Sequence, residues 1–341
     1  MIGAVLVKPE KIVLKEMSLP EPGFGEVRIK LQRVGICGSD VHFFKGQRLL
    51  DKPTIIGHEG LGIIDKTGEG VTSGKTGERV VIEPNIPCGK CSFCIQGRNN
   101  ICENKRIIGL NEPGCFAQYV IVPELFAWKL PDTISDDDAV TIEPMAVAYH
   151  ALFCTKAKPG DAIAIIGLGA IGMLLAHLAL RMGYKVFVTE VNQAKASMAK
   201  AMGAIPSLPQ LDLELQTKHL AALWQTNQVV AVFECAGSNT TASLATSAAP
   251  RGSEIVLVGL SEKQANFQPL KIAREGINIK PSIIYQHPFD FRRVIQLIEA
   301  KVVHPGLIIS GNYPLSEIQQ AMEFASTGSA SKIVVEISDG N

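Results

Sequence analysis

The segment Gly167-Leu-Gly169-Ala-Ile-Gly172 constrains this chain more tightly than any other. Residues 162–166 before it form an uninterrupted apolar run, and residues 170–182 after it are helix formers closed by Gly183. A buried strand that turns through closely spaced glycines into a helix is the opening of a parallel βαβ unit. The same grammar continues downstream, with strands expected at 185–189, 229–234, 254–258 and 277–285 and helices at 193–202, 211–224 and 240–249. Alternation of this kind predicts a doubly wound α/β domain, a parallel sheet covered by helices on both faces.

Glycines at these positions let the backbone approach a pyrophosphate, whose charge is favoured by the free N–H groups at the N-terminus of the helix beginning at Ala170 and Ile171. The next strand ends in Glu190, placed to accept hydrogen bonds from ribose hydroxyls and to repel a 2′-phosphate. Val191 and Asn192 follow it with no arginine to receive such a phosphate. Gly167, Gly169, Ala170, Ile171, Gly172 and Glu190 are therefore expected to bind a dinucleotide, NAD rather than NADP. Lys195, within reach of that end, pulls the other way.

The chain has 341 residues with 33 basic and 33 acidic side chains, a formal net charge of zero. Clustered Lys and Arg supply most of the affinity for phosphate backbones, so neutrality speaks against nucleic acid or an anionic membrane as partner. Residues 162–180 carry no formal charge, and their length approaches the roughly 20 residues of a membrane span. The glycine loop inside them makes that reading untenable. The first eight residues lack the basic flank, apolar core and cleavage site of a signal peptide, which leads to an expectation of cytoplasmic location.

Up to about residue 135 the pattern differs. Short apolar or alternating runs at 2–7, 12–15, 27–34, 62–64, 79–82 and 116–122 are broken by Gly and Pro, a β-rich signature. The last segments, amphipathic helices at 289–300 and 316–326 and a strand at 332–337, do not extend the alternation. They are assigned to the first domain, giving one domain of residues 1–146 and 287–341 and a second of residues 147–286.

Four of the eight cysteines, Cys88, Cys91, Cys94 and Cys102, form a C-x2-C-x2-C-x7-C array. Thiols so spaced in a cytosolic chain bind metal rather than form disulfides. Four thiolates close a tetrahedron around one zinc and leave no open position, which makes such a site structural. An iron–sulfur cluster is the competing reading; the long gap before Cys102 and the absence of a following Pro speak against it.

A third constellation is dispersed. Cys37 lies in Gly35-Ile-Cys-Gly-Ser39-Asp40-Val-His42, and His58-Glu59 lie in Gly57-His-Glu-Gly-Leu-Gly62. Separately each reads as an ordinary buried thiol or polar contact. Beside a dinucleotide site, Cys, His and Glu form the donor set of a catalytic zinc with one position left for a substrate oxygen.

With these residues, Gly77-Glu-Arg-Val80 and Glu143-Pro144, the chain resembles the zinc-dependent medium-chain dehydrogenases, and among them the sorbitol dehydrogenase-like branch, over nearly its whole length. The resemblance implies a Rossmann domain joined to a β-rich GroES-like catalytic domain with a structural-zinc lobe. It also implies two zinc ions per subunit, NAD, and a homo-oligomer, dimer or tetramer. Cys37, His58 and Glu59 would hold the catalytic zinc, with Glu143 as a ligand directly or through water; read without the resemblance, Glu143-Pro144 is a helix start. Asp40 would orient the zinc-bound imidazole, and Ser39 and His42 would relay the proton. The implied reaction oxidises a secondary alcohol of a polyol or sugar-derived alcohol to a ketone.

Two departures stand out. Phe43 occupies a position where the branch has Tyr, and Ile284 precedes Tyr285 where it has Arg-Tyr; Phe43 and Tyr285 are the expected substrate-pocket residues. Each lost donor weakens recognition of one substrate hydroxyl, which keeps a 2,3-diol, a simple secondary alcohol and L-threonine as alternative substrates. A non-enzymatic nucleotide-sensing zinc protein is the alternative from another class. Cys115, Cys154 and Cys235 and the other histidines are expected to be core or surface residues.

Overall fold

The computed structural model describes residues 1–207 and 212–337. The chain divides into two compact units, Met1–Pro144 with the segment that starts at Gln286, and Met145–Tyr285.

The second unit is a six-stranded, wholly parallel sheet in the spatial order Ile205–Ser207, Lys185–Thr189, Ala162–Ile166, Val229–Glu234, Glu254–Leu257, Asn278–Pro281. Ala162–Ile166 is buried at every position, as a central strand covered on both faces must be. From it the chain first builds in one direction, then crosses back to Val229–Glu234 and builds in the other. The reversal opens a crevice at the carboxyl end of Ala162–Ile166, where the glycine loop lies. Trp224, Phe233, Leu244 and Ile255 help fill the core between sheet and helices.

Boundaries differ from the sequence expectation where local chemistry intervenes. The helix expected at 211–224 is Leu213–Thr226, N-capped by Asp212, whose side chain accepts the Leu215 N–H at 2.8 Å; Leu211 lies outside the described residues. The strand expected at 277–285 is only Asn278–Pro281. Pro281 offers no N–H for a further rung, and Ile284 takes a left-handed φ of 45° that no strand continues through. A helix at Pro269–Glu275 was not anticipated, although it has Pro at its first position and Gly276 as a left-handed cap.

The first unit is β-rich. Its main sheet runs Ala127–Lys129, Arg79–Ile82, Glu59–Thr67, Glu26–Gly35, Lys332–Glu336, Ile309–Pro314, with Tyr119–Pro123 also paired to Glu26–Gly35. Val27, Ile29, Leu31, Ile64, Val80, Ile82, Phe116 and Val122 pack its core with exposures of 1% or less. Lys332–Glu336 is inserted antiparallel beside Glu26–Gly35, pairing Val334 with Gly35. Arg33 fastens this junction, reaching Asp137 at 2.5 Å, Glu336 at 3.0 Å and Asn312 at 3.2 Å. Among the described residues no helix is long and apolar enough to cross a membrane.

Candidate active site

Strand pairing assembles the dispersed constellation. Glu26–Gly35 and Glu59–Thr67 run antiparallel with Gly35 opposite Glu59, so Cys37, just past one strand's end, comes beside His58, just before the other's start. Ligand atoms of Cys37, His58 and Glu59 all lie within 4.8 Å of one another, and His58 and Glu59 are buried. A thiol, an imidazole and a carboxylate at that separation suit one zinc ion with an open fourth position. Gly35 is required: a Cβ there would stand 2.0 Å from Glu59 Oε2.

Asp40, fully buried, binds the two ligand-bearing segments together. Its carboxylate accepts the Cys37 N–H at 2.9 Å and the Gly57 N–H at 3.1 Å. Its Oδ1 lies 3.4 Å from His58 Nδ1, near but outside hydrogen-bond geometry, and that nitrogen has no hydrogen-bond partner among the described residues. Burial opposes charging of His58, but the charges of Asp40 and Cys37 outweigh it and raise its pKa well above the usual value.

Glu143 sits in the first turn of the helix Ile142–Phe153 and is buried. Burial pushes its carboxyl up to about 7, against the pull of the nearby His58. It is thus close enough to feel the cluster but does not belong to the three groups within 4.8 Å. Ser39 and His42 lie on the helix Gly38–Phe44, one turn apart, Ser39 half-buried and His42 exposed with Nδ1 2.5 Å from Gln47 Oε1. Phe43 packs into the β core and Tyr285 is 1% exposed at the end of the second unit.

Sequence reasoning missed Lys332. This buried side chain reaches both oxygens of Glu59 at 2.7 Å and the Ile36 carbonyl at 3.1 Å. Burial works against its charge, and Glu59 and Cys37 more than restore it, so its pKa is raised. The one available signal was a lysine opening the otherwise apolar run Ile333-Val-Val335.

The four lobe thiols also converge within 4.8 Å. Cys91 Sγ is 3.5 Å from Cys94 Sγ and 3.9 Å from Cys102 Sγ. The edges of a tetrahedron with Zn–S bonds of ~2.3 Å measure about 3.8 Å, so these separations fit a closed ZnS4 site. Backbone N–H groups directed at Cys91, that of Cys94 foremost, draw its thiol down to about 6, towards the thiolate a metal needs.

In the second unit Gly167 has φ 89°, and a Cβ there would meet Ala236 at 2.7 Å. A Cβ on Gly172 would stand 2.0 Å from the Gly167 carbonyl oxygen. Gly169 is different: nothing lies within 4 Å of its Cβ position, and it caps the helix Ala170–Arg181 that begins with Ala170 and Ile171. Glu190 accepts the Leu168 N–H at 2.6 Å and the Asn192 N–H at 2.8 Å, so the acidic residue is tied to the glycine loop itself. Glu234, also unforeseen, accepts from Thr241 Oγ1 at 2.7 Å and from the N–H groups of Ala236 and Gly237, ordering the turn against which Gly167 packs. Burial raises its pKa.

Comparison with known proteins gives matches over most of the chain. Residues 23–132 match the family model described as the alcohol dehydrogenase GroES-like domain, and residues 170–300 match that described as zinc-binding dehydrogenase. The sorbitol dehydrogenase of Bacillus subtilis (strain 168) is 31% identical over 334 residues, covering 95% of this chain and 93% of that protein. The L-threonine 3-dehydrogenase of the same strain is 30% identical, covering 95% and 94%. A crystal structure of an alcohol dehydrogenase from Escherichia coli CFT073, complexed with NADH, superposes with a TM-score of 0.90 at 27% identity, covering 98% of this chain and 99% of that one.

Proposed function

Because this chain belongs to the zinc-dependent medium-chain dehydrogenases, in their sorbitol dehydrogenase-like branch, we propose that it oxidises a secondary alcohol of a polyol or sugar-derived alcohol to a ketone with NAD. The observation that carries the reading is the close approach of half-buried Cys37 to the buried His58 and Glu59, three unlike donors that leave one position of a tetrahedron open.

Cys37, His58 and Glu59 would hold a zinc ion, which when bound lowers the pKa of an alcohol oxygen and stabilises the negative charge that develops there. Asp40 keeps the Cys37 and His58 segments in register through its two backbone hydrogen bonds. Ser39 Oγ would accept the alcohol proton while giving up its own hydroxyl proton, and His42, one helical turn on and exposed, would pass a proton on to water. Gly167, Gly169 and Gly172, at the positive end of the helix Ala170–Arg181, seat the cofactor's pyrophosphate, and Glu190 at the loop favours NAD over NADP. The dinucleotide so held would supply the hydride acceptor.

The lobe of Cys88, Cys91, Cys94 and Cys102 holds a second, structural zinc in this reading. Metal analysis of the purified chain is then expected to give two zinc equivalents, and Cys91→Ser one, with lowered thermal stability. A single equivalent in the unaltered chain would overturn the two-zinc assignment.

L-Threonine is the second reading, favoured by the nearly equal identity to a threonine dehydrogenase. Initial rates of NADH formation over sorbitol, xylitol, galactitol, sugar acids, 2,3-butanediol, L-threonine and isopropanol separate the two. Chelator-sensitive turnover confined to polyols or sugar acids is expected; turnover on L-threonine alone discards the polyol assignment and keeps the zinc chemistry.

A further inference from the structure

Lys332 takes no part in the reaction above, yet its ammonium is aimed at a residue of the metal cluster. Its three donors meet three acceptors: Glu59 Oε1 and Oε2, each at 2.7 Å, and the Ile36 carbonyl at 3.1 Å. Lys332 and Glu59 are both buried, so bulk solvent does not screen the pair. The same carboxylate belongs to the group of ligand atoms within 4.8 Å. Its electron density is thus divided between a fixed cation and any metal that enters. Gly35 supplies the space the carboxylate occupies.

We propose that Lys332 is a positioning residue that competes with the metal for Glu59 and keeps it a weak, displaceable ligand, so that a coordination position remains available to the substrate oxygen. This rests on the reading that Cys37, His58 and Glu59 hold zinc. A carboxylate already neutralised by an ammonium donates less to a second cation, and the ammonium itself repels a divalent ion nearby. Removing it leaves Glu59 with the metal as its only buried partner. Zinc is therefore held more tightly, while the alcohol, facing a more firmly ligated ion, is bound and activated less well. A purely structural anchor predicts the reverse, because loss of an outer partner of a metal ligand ordinarily weakens binding by about 10–100-fold.

The test measures zinc release from the full-length, zinc-loaded protein under excess chelator, with Cys37→Ser identifying the phase that belongs to this cluster. Lys332→Met is expected to slow that phase by about tenfold, the equivalent of 1.4 kcal/mol, and to lower kcat, whereas Lys332→Arg, which still forms a bidentate pair, stays near the unaltered chain. With Co2+ in place of zinc, the visible absorption bands of Lys332→Met are expected to change and those of Lys332→Arg to persist. Release as fast as in the unaltered chain, or faster, overturns the proposal. If Lys332→Met does not fold, the double variant Lys332→Met/Glu59→Gln, which buries no lone charge, decides: it is expected to release zinc at the rate of Glu59→Gln alone, and any difference shows that Lys332 does not act through Glu59. A profile in which Cys37→Ser removes no phase overturns the zinc reading itself, whereas a phase that is present but not slowed overturns only the role of Lys332.

Discussion

Replacing Cys37 with serine is expected to lower kcat/KM for alcohol oxidation by at least about 10³-fold while leaving the melting temperature nearly unchanged. A metal acting as Lewis acid contributes several kcal/mol of charge stabilisation in the transition state, and each 1.36 kcal/mol is tenfold in rate, so losing about 4 kcal/mol gives that factor. The fold is spared because Cys37 is half-buried at a helix start and the bond that orders this turn runs from its backbone N–H to Asp40, which serine keeps. Steady-state rates, zinc content and thermal melting on one preparation check this together. Activity within tenfold of the unaltered chain would show that the cluster does not carry the chemistry.

The glycine loop yields the second large effect, a separation of two kinds of glycine. Gly172→Ala places a methyl 2.0 Å from a backbone oxygen that cannot rotate away, so it is expected to destabilise the second unit by about 1–3 kcal/mol through overpacking and backbone shift. Gly169→Val sets its Cβ in open space, with nothing within 4 Å, on an ordinary extended backbone, so stability should hold. Its side chain instead fills the space where the pyrophosphate approaches the helix terminus, and affinity for NADH is expected to fall by more than about tenfold, the equivalent of 1.4 kcal/mol. Denaturation curves and NADH titrations distinguish the two. A Gly169→Val protein that binds NADH normally would remove the loop from the cofactor site.

Other features were less accessible from the chain alone. The helix Pro269–Glu275 was signalled by its Pro and Gly caps, yet it is short and amid polar residues its apolar spacing is faint. Glu190 was legible as an acid at a strand end, but its bond to the Leu168 N–H depends on two parallel strands lying side by side. Phe43 was expected towards substrate and is found in the β core, because the packing of its helix against the sheet, rather than its place after Ser39 and Asp40, decides where the ring points.

What the sequence determined by itself is what short-range chemistry encodes. The βα alternation, the glycine loop and the four-thiol array each lie within a few dozen residues, so periodicity and ligand spacing suffice to read them. What only the tertiary structure decided is the environment of the metal cluster. The register that sets Gly35 against Glu59 joins strands separated by the helix Gly38–Phe44 and the segment that follows it, and the Lys332–Glu59 pair joins residues 273 positions apart. No spacing rule spans such a distance. A lysine opening an apolar strand is indistinguishable from an exposed one until the sheet closes around it, removes water, and leaves a carboxylate as its charge partner.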